Sequence, residues 1–146
     1  MPGRIYSVGY EGMTLEGLVE RLAGARVSVL VDVRLNPSSR KPGFSRKRLS
    51  AALAESNISY LHEKELGNPL DNRASFRSGD GETGRERMRG ILSNGAGPAL
   101  DRVVALASQE RIAVLCVERE HQRCHRDVIT EMAVERNPGI EVLNIL

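Results

Sequence analysis

"VSVLVDVR", residues 27–34, decides the fold. A strand with one face in water alternates apolar and polar residues, but here Leu30 sits among Val27, Val29, Val31 and Val33, so the run is nearly continuous. That is the pattern of a strand covered on both faces, as in a parallel sheet. Its β-branched residues suit a strand better than a helix.

Working outward, "RIYSVGY" (4–10) reads as a short strand ending in a glycine turn. Thr14 then offers an N-cap, and Leu15, Leu18, Val19 and Leu22 follow at helical spacing. After the central run, Ser45 is placed to cap a helix carrying Leu49, Ala52 and Leu53, which stops near Asn57. "ISYLH" (58–62) is a third, shorter strand. Pro98 starts a helix bearing Leu100, Val103, Val104 and Ala107. "RIAVLCVE" (111–118) is the most hydrophobic strand and feeds a helix with Val128, Ile129, Met132 and Ala133 on one side, ended by "NPG". "EVLNIL" closes the series.

Strands alternating with helices imply right-handed crossovers. The expected architecture is a single three-layer α/β domain over residues 1–146. It has a mostly parallel, Rossmann-like sheet of about five strands and helices on both faces. Residues 63–85, "EKELGNPLDNRASFRSGDGETGR", resist assignment and are expected to form a long loop, either a binding lid or a surface connection.

At 146 residues the chain is long enough to bury a core without staples. No apolar run approaches the roughly 20 residues needed to cross a bilayer. The start, "MPGRIYSVGY", lacks the features of a signal peptide. Two cysteines eight positions apart make a poor disulfide framework, so the cytoplasm is the expected setting. A net charge of +2 is too small to mark a nucleic-acid binder, so the placement of charge matters more.

In an open parallel sheet, ligands sit beyond the carboxyl ends of the strands. The first strand there delivers Gly9, Tyr10 and Glu11, the second Asp32 and Arg34, and the third His62 and Glu63. The fourth delivers Cys116 and Glu118, then Arg119 and His121. The opposite edge, with "AGARVS", "AESNIS" and "SQERI", holds no comparable cluster. This asymmetry points to a site.

Asp32 and Arg34 share a face of an extended chain, either as a structural ion pair or as an active-site pair. The loop "NPSSRKPGFSRKR" (36–48) carries Arg40, Lys41, Arg46, Lys47 and Arg48 without an acid. With the helix start at Ser45 it is either an anion-binding patch for phosphate or a solvated basic face. Phe44 within it offers a ring for base stacking.

The densest segment is "CVEREHQRCH" (116–125), which holds both cysteines and two of the three histidines. Cys116 reads as a core-filling residue. Cys124, at a helix amino terminus beside Arg123, His125 and Arg126, is a candidate nucleophile or redox group. The alternative is that Cys124 and His125 simply cap and pack the helix. Glu118, leaving a buried strand, is a candidate general acid or base. A zinc site drawing on Cys116, His121, Cys124 and His125 is disfavoured, because CxxC or HxxxH spacing is lacking and an adjacent Cys-His pair is awkward for one tetrahedral ion. No residue is assigned as a metal ligand, and the cofactor is left open, with zinc the disfavoured candidate.

"IYSVGYEG", "LVDVRLNPSSRKPGFS", "ISYLHEKELG" and "LCVEREHQRCHRDVI" resemble, in order, the blocks of the bacterial and archaeal family known as domain of unknown function 488. Val117 stands where members often carry alanine. The resemblance implies an α/β fold. It marks Asp32, Arg34, Ser38, Cys116, Glu118, Cys124, His125 and Arg126 as motif positions, and it supplies no reaction.

Two functional expectations follow. One is an enzyme acting on a phosphate-bearing substrate, a nucleotide or a nucleic acid, with no membrane involved. Asp32, Glu118 and Cys124 would be its catalytic groups, and Tyr10, Arg34, Ser38, Arg40, His62, His125 and Arg126 would bind the anion. The other is a non-catalytic module that grips nucleic acid or a partner protein with the same basic loop. A thiol or metal sensor is the third alternative.

Overall fold

The computed structural model describes residues 3–69, 72, 81–118 and 124–145. Five parallel strands form one sheet in the order β3-β2-β4-β1-β5, with β1 Arg4–Gly9, β2 Val29–Asp32, β3 Ser59–His62, β4 Arg111–Cys116 and β5 Glu141–Ile145. Every pairing is parallel. The fold is three-layer α/β and Rossmann-like.

Among the described residues, two helices cover one face: α1 (Leu15–Gly24) and α2 (Arg46–Glu55). Their Leu18, Leu22, Leu49 and Leu53 pack on Tyr6, Val8, Leu30, Ala113 and Leu115. The other face carries α3 (Gly81–Ser93), α4 (Gly97–Gln109) and α5 (Arg126–Arg136). There Met88, Leu92, Val103, Val128 and Ile129 pack on Ile5, Val31, Ile112 and Val114. The strands' alternation explains the division, since odd and even positions of each strand feed different cores. The double burial expected of the valine run is what the sheet shows.

The connections that move toward β3 place their helices on one face, and those that return place theirs on the other. The paths from β2 and β4, which are neighbours, therefore leave on opposite faces, the arrangement beside whose carboxyl ends ligands bind in open α/β sheets. Among the described residues, no helix is long and apolar enough to cross a membrane.

Local signals acted partly as expected. Thr14 accepts from the Gly17 amide at 3.0 Å, and Pro98 stands in the first turn of α4. Ser45 occupies the N-cap of α2 but makes no capping bond. Its hydroxyl instead accepts from the Ser39 amide (3.0 Å) and donates to the Ser39 carbonyl (3.2 Å), folding the basic loop onto itself.

The stretch expected to be loop contains structure. A short 3-10 turn spans Lys64–Leu66, and α3 begins at Gly81. The glycines of "GETGRERMRGILS" weaken helix propensity and hid it. Burial of Met88 and Leu92 on one face, with ion pairs to α5, outweighs that. Arg85 pairs with Asp127 and Glu131, and Arg89 with Glu131 and Glu135, so two arginines one turn apart tie the helices together.

Candidate functional site

β2 and β4 deliver their terminal residues side by side. The ladder pairs Asp32 with Leu115 and continues past β2, because the Val33 amide donates to the Leu115 carbonyl at 3.1 Å. At the start of α5, His125 sets Nε2 2.8 Å from the Val33 carbonyl. The DVR and CHR motifs are thus in direct contact, although their charged side chains go to opposite faces of the sheet.

On the α1–α2 face, Asp32 and Arg34 form a buried two-point pair, Nε to Oδ1 at 2.8 Å and a terminal nitrogen to Oδ2 at 2.6 Å. The other terminal nitrogen donates to the Phe44 carbonyl at 2.7 Å. The Arg34 amide donates to Asp32 Oδ1 at 3.1 Å, and the Tyr60 hydroxyl donates to Oδ2 at 2.5 Å. His62 Nε2 lies 2.8 Å from the Arg34 carbonyl, and the guanidinium lies over the Tyr10 ring, 5.5 Å from its centre.

Burial works against the Arg34 charge, but the bonds and field of Asp32 outweigh it and raise its proton affinity. Burial, reinforced by Asp32, likewise holds the Tyr60 proton above the ordinary phenol range. Such a cluster fixes a loop. All three guanidinium nitrogens of Arg34 already donate inside the protein, so the structural ion-pair reading fits its geometry.

Tyr10 is buried and stacks on Phe44, ring centres 4.5 Å apart. Phe44 is fully buried, so it has no face to offer a base, a correction to the sequence expectation. Lys41 Nζ sits 3.4 Å from the Tyr10 carbonyl and over the Phe44 ring. Ser38, Arg40, Lys47 and Arg48 are exposed, as is Arg46, which lies over the Tyr60 ring.

On the other face, Cys116 and Cys124 are joined in a disulfide, contrary to the expectation that their spacing disfavours one. In this form Cys124 holds no thiolate. His125 Nδ1 lies 3.4 Å from the Cys124 sulfur. Glu118 is half-buried, with Oε2 3.4 Å from the Cys116 sulfur.

Arg126 is 1% exposed and donates a terminal N–H to the Glu118 carbonyl. Its Nε has no hydrogen-bond partner among the described residues. Burial lowers its pKa to about 10, against the opposing pull of the Glu118 charge. Arg119, His121 and Arg123 lie outside the described residues.

Sequence reasoning missed Tyr60 and Arg102. Tyr60 shares strand parity with His62, and the β2–β3 register sets that face against Asp32. Arg102 on α4 grips the buried Glu63 carboxylate with two contacts, at 2.7 and 2.9 Å. The surface spacing of α4 gives no hint of a partner 39 positions away.

Neither the curated proteins nor the solved structures compared with this chain include a match. A family model does match, over residues 14–133, and that span takes in Asp32, Arg34, Glu118 and the whole CHR turn. The chain therefore belongs to the family described as domain of unknown function DUF488.

Proposed function

We propose that the carboxyl edge of the sheet binds a phosphate-bearing molecule, a nucleotide or a nucleic-acid segment, and acts on it. Arg126 would be the anion contact and Glu118 the group that handles a proton. One observation carries this reading: the Arg126 guanidinium is out of water, and its Nε lacks a partner among the described residues. A buried charge with an unmet donor is costly, and an anion seated against it would recover both terms. The amino terminus of α5 adds its dipole in the same sense. Of the residues expected from the sequence to hold the anion, Arg34, Arg40 and Arg126 among them, this reading rests on Arg126.

The exposed side chains of Arg40, Lys47 and Arg48 suit a longer polyanion better than a lone phosphate. They equally suit a non-catalytic nucleic-acid module, which is the second reading.

The test is binding of nucleoside triphosphates and single-stranded oligonucleotides to wild type and Arg126→Gln, with circular dichroism confirming the fold. Loss of binding of roughly tenfold or more, the scale of a charge-assisted contact, is expected. Unchanged binding by a folded Arg126→Gln protein overturns the reading. Turnover that Glu118→Gln abolishes while binding persists assigns the enzyme, whereas steep salt dependence without turnover assigns the module.

A further inference from the structure

Cys116, Cys124 and His125 bring two sulfurs and a ring nitrogen within 4.8 Å of one another, all in buried residues. They come from different elements: Cys116 ends β4, whereas Cys124 and His125 open α5. The ring is set by a backbone contact. The Val33 carbonyl can only accept, so the nitrogen 2.8 Å from it, Nε2, carries the hydrogen of the neutral imidazole. Nδ1 then presents its lone pair on the side of the Cys124 sulfur, 3.4 Å away. A histidine whose far nitrogen donates to a carbonyl while the near one faces soft ligands is arranged as metal-binding histidines are.

We infer that, once its cysteines are reduced, this chain holds a zinc-class divalent ion on Cys116 Sγ, Cys124 Sγ and His125 Nδ1. Two thiolates and an imidazole are a soft set suited to such an ion. Three protein ligands leave the fourth tetrahedral position for water or for the nearby Glu118 carboxylate. The thiolates cancel the ion's charge, so seating it leaves no net charge in a buried place.

Entry into the site is a balanced exchange. Two molecules of a low-molecular-weight thiol give up two electrons and two protons and become a disulfide. The Cys116–Cys124 bond breaks, and each of its sulfurs gains a proton. The incoming divalent ion then displaces those two protons to solvent. This inference does not depend on phosphate binding, and its readout is separate from it.

The experiment is titration of the full reduced chain with Co2+ under anaerobic conditions, followed by competition with Zn2+. Expected are one cobalt per chain, thiolate-to-cobalt charge-transfer absorption of two sulfur ligands, and displacement by zinc. Zinc should also protect both cysteines from alkylation. Cys116→Ser and Cys124→Ser should each abolish the charge-transfer signature of a two-thiolate site. His125→Gln should weaken zinc binding by at least about tenfold, the lower end of what ligand-shell changes cost. Reduced wild-type protein that remains folded by circular dichroism yet shows no charge-transfer band overturns the inference, and that measurement needs no variant. Equal binding by the oxidised chain, or by the Cys116→Ser/Cys124→Ser double variant, overturns it as well.

Discussion

His125 Nε2 and the Val33 carbonyl are 2.8 Å apart, across 92 positions of chain. Both groups are buried, so the contact fastens the start of α5 to the end of β2 where water does not compete. His125→Phe keeps a ring but removes the donor, leaving the carbonyl unmet. The expected loss is about 1–3 kcal/mol in urea unfolding. In the wild type, long-range nitrogen–proton spectra should show a hydrogen on Nε2 and none on Nδ1.

The Asp32–Arg34 pair should behave as a unit. Asp32→Asn leaves a buried guanidinium without its counter-charge and should cost about 3–5 kcal/mol. Arg34→Lys supplies a charge but not the planar fork that reaches both carboxylate oxygens and the Phe44 carbonyl, so it should not restore stability. Removing both with Asp32→Leu and Arg34→Met should cost less than the sum of the single changes, measured by denaturant unfolding.

Gly67 passes tight against the backbone of the DVR loop. A Cβ built there would lie 2.6 Å from Leu35 Cα and 2.8 Å from Leu35 N, atoms that cannot swing aside. Gly67→Ala should therefore lower stability by about 1–3 kcal/mol, as overpacking does, and shift the amide resonances of residues around Leu35.

Tyr60 gives the fold an alkaline limit. Burial and the Asp32 hydrogen bond raise its folded-state pKa above the unfolded value near 10. Between those values the unfolded chain has lost the proton and the native one keeps it. The stability linked to Tyr60 is thus fully present below about pH 10 and declines as pH rises from there. Ultraviolet titration of wild type against Tyr60→Phe should show that the variant lacks a phenol ionising above the ordinary range. The urea midpoint of the variant should fall less steeply above that pH.

Much of this architecture was legible in the sequence because periodicity reports burial directly. The valine run had to be buried on both sides, and the polar residues at four strand ends had to share an edge once the strands were parallel. Pairing was not legible. Nothing in "ISYLH" says that Tyr60 meets Asp32, since that depends on the β2–β3 register, a long-range property. The α3 helix escaped because its glycines obscure the local signal, while burial of Met88 and Leu92 in the core, a long-range contact, holds it. Phe44 looked available beside so many charges, yet a large ring gains more from burial against Tyr10 than from exposure.

The strand order has a bearing on biosynthesis. β4, among the last elements synthesised, fills the slot between β1 and β2, which came first. A nascent chain that stops short of Arg111 can form only the β2–β3 ribbon and a solitary β1, with unpaired edges on either side of the gap. The domain therefore cannot close progressively as it leaves the ribosome. Its central strand must insert late, and until then both flanking edges stay open to other chains.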